Sequence, residues 1–138
     1  MKISVKEQYG LRIMTELAGR YGGGLVSLSS VAEAQGLSLD YLEQIIPSLR
    51  DAGLLTSKRG ARGGYELARS PAEITVGHVL RALDGDILPM RCIGEDHLPC
   101  DRGDTCTARA VWETVHGRVL DALDGMTLAD LLYPVREP

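Results

Sequence analysis

Apolar residues recur at three- and four-residue steps in several stretches of this chain, and most of those stretches open on a residue that can cap a helix. The first begins at Ser4-Val5-Lys6-Glu7, where the serine hydroxyl and the glutamate carboxylate can each take a free backbone N–H. It should run to about Tyr21, burying Tyr9, Ile13 and Leu17 with the flanking Leu11, Met14 and Ala18, and Gly22-Gly23-Gly24 stops it. Ser27 can cap a short helix over Leu28–Gln35, Gly36 supplies a turn, and Ser38 can cap a second helix from about Leu39. Leu28, Val31 and Ala32 on one helix and Leu42, Ile45, Ile46 and Leu49 on the other give each an apolar stripe to bury against its neighbour. Pro47 lacks an N–H for the Glu43 carbonyl, so it should kink or split the second helix, with a bend near Ile46. Ser38 to Gln44 would then be its working end. Leu54 to Ser57 and Tyr65 to Leu67 read as two strands around the glycine-rich basic turn Lys58-Arg59-Gly60-Ala61-Arg62-Gly63-Gly64. Thr75 can cap a helix from Val76 to about Leu83, while residues 84–105 show no periodicity. From Thr107 to about Asp124, the positions Ala108, Val111, Trp112, Val115, Val119, Ala122 and Leu123 return to helical spacing, and Thr127-Leu128-Ala129-Asp130 repeats the capping pattern for a short last helix.

These elements predict a mainly α fold with a small β-hairpin wing, a winged helix-turn-helix followed by a long C-terminal dimerisation helix. Residues 1–72 would form the winged domain and residues 73–138 the loop (84–105) and dimerisation region. A long amphipathic helix outside the winged core needs a partner, and a two-fold homodimer is the ordinary solution. At 138 residues there is room for one domain with an arm but not for two large domains, and with no Phe the core must be aliphatic. No run approaches a membrane span and no apolar signal region opens the chain, so the expected setting is the cytoplasm, with no membrane partner.

The net charge of −4 argues against nucleic acid only until its placement is considered. Residues 1–69 carry nine Lys/Arg against seven Asp/Glu, whereas residues 70–138 carry six against twelve. Between Arg50 and Arg69 five basic residues meet only Asp51 and Glu66, a local patch of the kind that attracts phosphates. No phosphate-binding or dinucleotide glycine loop occurs, because Gly22-Gly23-Gly24 lacks the residues that would have to follow it.

The segments Tyr41-Leu42-Glu43-Gln44, Leu49-Arg50-Asp51-Ala52-Gly53-Leu54 and Arg59-Gly60-Ala61-Arg62-Gly63-Gly64-Tyr65, with the closing Thr127-Leu128-Ala129-Asp130-Leu131, resemble one family. It is the Rrf-type family of bacterial winged helix-turn-helix regulators that includes IscR, NsrR, RirA and CymR, and the resemblance runs from Met1 to about Leu132. It implies a transcription regulator, most simply a repressor, that binds a double-stranded DNA operator. Carried over position by position, the base-reading candidates are Ser38, Tyr41, Glu43 and Gln44, and the wing candidates are Lys58, Arg59, Arg62, Gly63 and Gly64. The chemistry agrees: Gln pairs with adenine, Glu accepts from the cytosine amino group, and Arg suits a narrow minor groove. Gly60, Gly63 and Gly64 would allow positive backbone angles and close approach to the sugar-phosphate chain. The alternatives are that Tyr41 is half-buried packing and Glu43 a solvated helix charge.

Cys92, Cys100 and Cys106, spaced C-x7-C-x5-C, fall in or beside the aperiodic acidic stretch. An odd count in a reducing compartment argues against a disulfide framework and for metal or redox chemistry, thiolates being soft ligands for iron–sulfur clusters or zinc. The resemblance implies an iron–sulfur cluster, 2Fe–2S or 4Fe–4S, held by these three cysteines, with a spacing like that of RirA-type regulators, and a response to iron, cluster supply, or redox or nitric-oxide stress. The fourth ligand is open. Where IscR-like members carry a His three residues after the last Cys, this chain has Arg109, and the position matching the acidic ligand of NsrR-like members is Gln8, beside Glu7. Glu7 of the partner subunit, His97, Asp101, Asp104 or an exogenous group could fill it; for Glu7 the helix cap is the simpler role. His78 and His116 lie on helices and read as polar surface or packing residues. A zinc or thiol redox switch on the same fold is the alternative, and a thiol enzyme using Cys106 is disfavoured because no Cys-His-acid set is recognisable.

Overall fold

The computed structural model describes residues 4–85 and 106–133. Helix α1 (Val5–Gly19) starts on the expected capping box: the Glu7 N–H donates to Ser4 Oγ at 3.1 Å and the Ser4 N–H donates to Glu7 Oε1 at 3.2 Å. Helices α2 (Leu28–Gln35) and α3 (Leu39–Asp51) are capped by Ser27 and Ser38, each hydroxyl accepting the N–H three residues on. Between them Gly36 sits at φ 64°, a left-handed conformation that costs glycine little and ends α2 sharply enough for α3 to begin three residues later. Helix α3 passes unbroken through Pro47, so the chain is not split there. Glu43 and Pro47 are both exposed, which leaves water free to take the hydrogen bond that the ring cannot give.

Strands β1 (Leu55–Lys58) and β2 (Gly64–Leu67) pair antiparallel in the register Leu55↔Leu67 to Lys58↔Gly64, placing both leucines on the buried side. Val26, just before α2, exchanges two backbone hydrogen bonds with Tyr65 (2.9 and 2.8 Å), so the wing is tied to the entry of the helix pair. A 3-10 turn (Pro71–Glu73) leads to α4 (Val76–Asp84), and beyond the described gap come α5 (Arg109–Asp124) and α6 (Leu128–Leu132). Thr75 and Thr127 cap α4 and α6 and bridge each other; Val76 N–H donates to Met126 O (2.8 Å) and Leu128 N–H to Ile74 O (2.9 Å).

The main aliphatic core crosses position 72, and a smaller cluster around Val76 and Leu80 lies between α4 and α5. Ile13 and Met14 of α1 and Leu42 and Leu49 of α3 are fully buried in the same cluster as Ile74, Val79 and Leu128. Two glycines that the apolar pattern did not single out make this packing possible. A Cβ on Gly10 would collide with the Leu83 side chain, and one on Gly77 with the Asp124 carboxylate, so a side chain of α4 packs on the bare backbone of α1 and one of α5 on that of α4. Arg81 spans the second contact by pairing with both Asp124 oxygens at 2.6 and 2.9 Å. That guanidinium holds the Asp124 carboxyl below its ordinary value.

The stripe expected along α5 forms only in part. Val115, Val119 and Leu123 are half-buried, but Val111 is 56% and Trp112 45% exposed, and Ala108 and Ala122 are exposed as well. The buried residue of this helix is His116, which has a partner. His78 caps its own helix, its Nδ1 accepting the Thr75 N–H at 3.1 Å.

Candidate nucleic-acid interface and cysteine positions

Helix α3 is two-sided because its apolar residues occupy one stripe. Leu42, Ile45, Ile46 and Leu49 face inward, and the other side carries Asp40, Glu43 and Gln44, all exposed. Ser38 is exposed at the helix start, and its oxygen is used as the cap while the O–H remains able to donate. Tyr41 behaves differently. It is half-buried, its ring meets Tyr9 edge-to-face at 5.6 Å and 89°, and it joins the core's margin. Asp40 is absent from the candidates drawn from the sequence, although it shares the solvent side with Gln44 one turn on; the signal was its place outside the apolar stripe.

Lys58, Arg59 and Arg62 are exposed at the tip of the wing and make no ion pair among the described residues. The wing glycines divide by role. Gly60 has φ 114°, the positive angle that the turn requires. Gly63 and Gly64 do not adopt positive φ, contrary to the expectation; a Cβ on Gly63 would strike the Lys58 carbonyl and one on Gly64 the Val26 backbone. Their smallness serves close approach within the chain itself, because the hairpin closes tightly and packs against Val26.

Of the three cysteines, Cys106 is described: a free, exposed thiol whose carbonyl accepts the Arg109 N–H at the entry to α5. Cys92 and Cys100 lie outside the described residues, as do His97, Asp101 and Asp104. Among the described residues no three His, Cys, Asp or Glu side chains form a metal-binding group. Arg109 is engaged with Glu113 at 2.8 Å. Glu7 is occupied as a cap beside Asp84, the penultimate described residue before the cysteine stretch, and Ser4 Oγ bonds the same Asp84 at 2.7 Å. Burial, and next the hydrogen bond with Asp84, raise the Glu7 carboxyl above its ordinary value. No described helix is long and apolar enough to cross a membrane.

The family model described as "Rrf2: Iron-dependent Transcriptional regulator" matches residues 3–134. The chain is 45% identical over 131 residues to the HTH-type transcriptional regulator CymR of Bacillus subtilis (strain 168), covering 95% of this chain and 89% of the relative. It is 38% identical over 132 residues to the HTH-type transcriptional regulator IscR of Aliivibrio salmonicida (strain LFI1238), covering 96% of this chain and 77% of the relative. A solved structure described as that of CymR, the global cysteine regulator of B. subtilis, superposes with a TM-score of 0.81 at 43% identity, covering 99% of each chain.

Proposed function

Because the chain belongs to the Rrf2 family of transcriptional regulators and is not an enzyme, we propose that it is a cytoplasmic, homodimeric repressor whose grip on operator DNA is set by its three cysteines. The observation that carries the DNA part is the combination of an exposed polar face on α3 with three cations at the wing tip that make no ion pair among the described residues. Helix α3 enters the major groove with Ser38, Glu43 and Gln44 toward base edges, and Tyr41 supports the helix from its flank. Lys58, Arg59 and Arg62 reach phosphates and the adjoining minor groove, with Gly63 and Gly64 shaping the turn. A two-fold pair presents two such heads, and the exposed Val111 and Trp112 of α5 give the two copies an apolar face to share.

Three thiolates suit an iron–sulfur cluster, and Cys92, Cys100 and Cys106 would hold it; the family description as iron-dependent and the likeness to cluster-binding members support this choice. When bound, the cluster supplies a redox-active, ligand-exchangeable centre. The chain's part is mechanical. Residues 86–105 join α4 to α5, and α4 lies against α1, which carries the reading pair, so tying the thiols together biases how these helices sit. A second reading, a cysteine- or oxidant-responsive thiol switch without a cluster, is favoured by the 45% identity to CymR and by the exposed free thiol of Cys106.

Anaerobic purification with iron and sulfide counts separates the two. The cluster reading expects a coloured protein, loss of colour in the Cys92→Ser, Cys100→Ser and Cys106→Ser variants, and altered DNA affinity after oxidation. A colourless, iron-free protein with cysteine-dependent binding selects the thiol switch, and binding indifferent to all three cysteines rejects both. On DNA, Arg59→Ala should weaken every duplex and lower the salt slope by about one, whereas Glu43→Ala should cost about 1–3 kcal/mol of discrimination at one base position. Identical losses on all sequences for both variants would remove the division between wing and helix.

A further inference from the structure

The inner stripe of α3 begins at Leu42, so the turn from Ser38 to Tyr41 projects beyond the deepest part of the core and needs other support. Leu37 and Tyr41 lie on the core's margin, and two residues of α1, Tyr9 and Arg12, brace the two sides of the turn. Arg12 donates from Nε to Gln35 Oε1 at 3.1 Å and from Nη2 to the Gln35 carbonyl, one of the carbonyls left over at the end of α2. Its guanidinium also lies 5.4 Å from the centroid of the Tyr9 ring, whose edge in turn meets Tyr41. The planar fork of one arginine therefore holds both sides of the turn: Gln35 before Gly36 and, through Tyr9, the first turn of α3.

We infer that Arg12 is a positioning residue for base readout, one that sets the pose of the α3 N-terminus without itself reading DNA. The inference rests on α3 being the reading helix. Lysine cannot replace it, because one ammonium cannot bond the Gln35 side chain and carbonyl in a plane and stack over a ring at once. Loss of the clip should blur discrimination between base pairs and leave attraction to phosphates in place.

The test uses the full-length chain and two duplexes: the one the wild type selects from a random-sequence pool, and a scrambled duplex of the same composition. Arg12→Ala and Arg12→Lys should each bind the selected duplex about fivefold more weakly than wild type, bind the scrambled duplex within about twofold of wild type, and keep the wild-type salt slope. Gln35→Ala, which removes one of the two bonds and keeps the carbonyl, should show a smaller loss of the same kind. Wild-type discrimination in Arg12→Lys with equal loss on both duplexes in Arg12→Ala would make Arg12 a phosphate contact and overturn the inference. So would unchanged discrimination alongside a lowered melting temperature, which is the signature of a purely structural role. Wild-type binding of both duplexes by both variants overturns it too. If the wild type selects no duplex at all, it is the assignment of α3 that fails, and wild-type selection whose preference ignores Glu43→Ala and Gln44→Ala fails it as well.

Discussion

Helices α3 and α5 carry the same kind of amphipathic pattern and have opposite fates. On α3 every residue of the stripe Leu42, Ile45, Ile46 and Leu49 is at most 2% exposed, covered by α1, α2, α4 and the wing. On α5 the stripe divides: its C-terminal part meets Val76 and Leu80 of α4, while Val111 and Trp112 stand in solvent. Periodicity reports that a helix has a side to hide; it does not report whether its own chain hides it. The covered stripe belongs to the folding of one subunit, and the exposed one is the face that the proposed homodimer would bury.

The contrast can be broken by substitution. Leu42→Ala should cost about 3 kcal/mol, since it leaves a hole in a core packed from several elements, and urea unfolding should show a midpoint shift at every protein concentration. Trp112→Asp should leave each subunit folded and instead weaken self-association by about 2 kcal/mol, about a thirtyfold rise in the dimer dissociation constant by sedimentation. A Trp112→Asp protein that associates like wild type would place the two-fold face elsewhere. The smallest effect belongs to the seam between the regions. Asp124→Asn removes the paired contact with Arg81, and because both side chains are more than a third exposed, the loss should be about 0.5–1 kcal/mol at neutral pH. Asp124 is a carboxyl lowered by its partner, so its contribution is present above the ordinary value of 3.8 and disappears as pH falls through the lowered one. The variant should therefore lose less stability than wild type on that acid limb, measured by thermal unfolding against pH. Glu7 has the opposite sign: raised above its ordinary 4.5, it penalises folding as pH rises through that window.

Much of the architecture was legible from local chemistry. Ser4, Ser27, Ser38, Thr75 and Thr127 all cap the helices they were expected to cap, and Gly36 makes the turn, because these are interactions between residues a few positions apart. What failed was long-range. Gly63 and Gly64 were expected to take positive backbone angles, yet they do not, and a Cβ on them would strike Lys58 and Val26. Pro47 was expected to kink or split α3, and the helix is not split there. The clip between Arg12 and Gln35 joins residues 23 positions apart and left no local mark.

From the sequence alone come the helices, the hairpin, the basic patch set against an acidic remainder, and three cysteines spaced C-x7-C-x5-C, all of them properties of neighbours along the chain. Tertiary structure alone decided that one core joins α1, α2, α3, the wing, α4 and α6, that Gly10 and Gly77 admit side chains of neighbouring helices, that Tyr41 leans on Tyr9, and that Val111 and Trp112 remain exposed. The reason is that burial and close approach depend on which distant surfaces meet, and side-chain periodicity specifies a face without specifying what covers it.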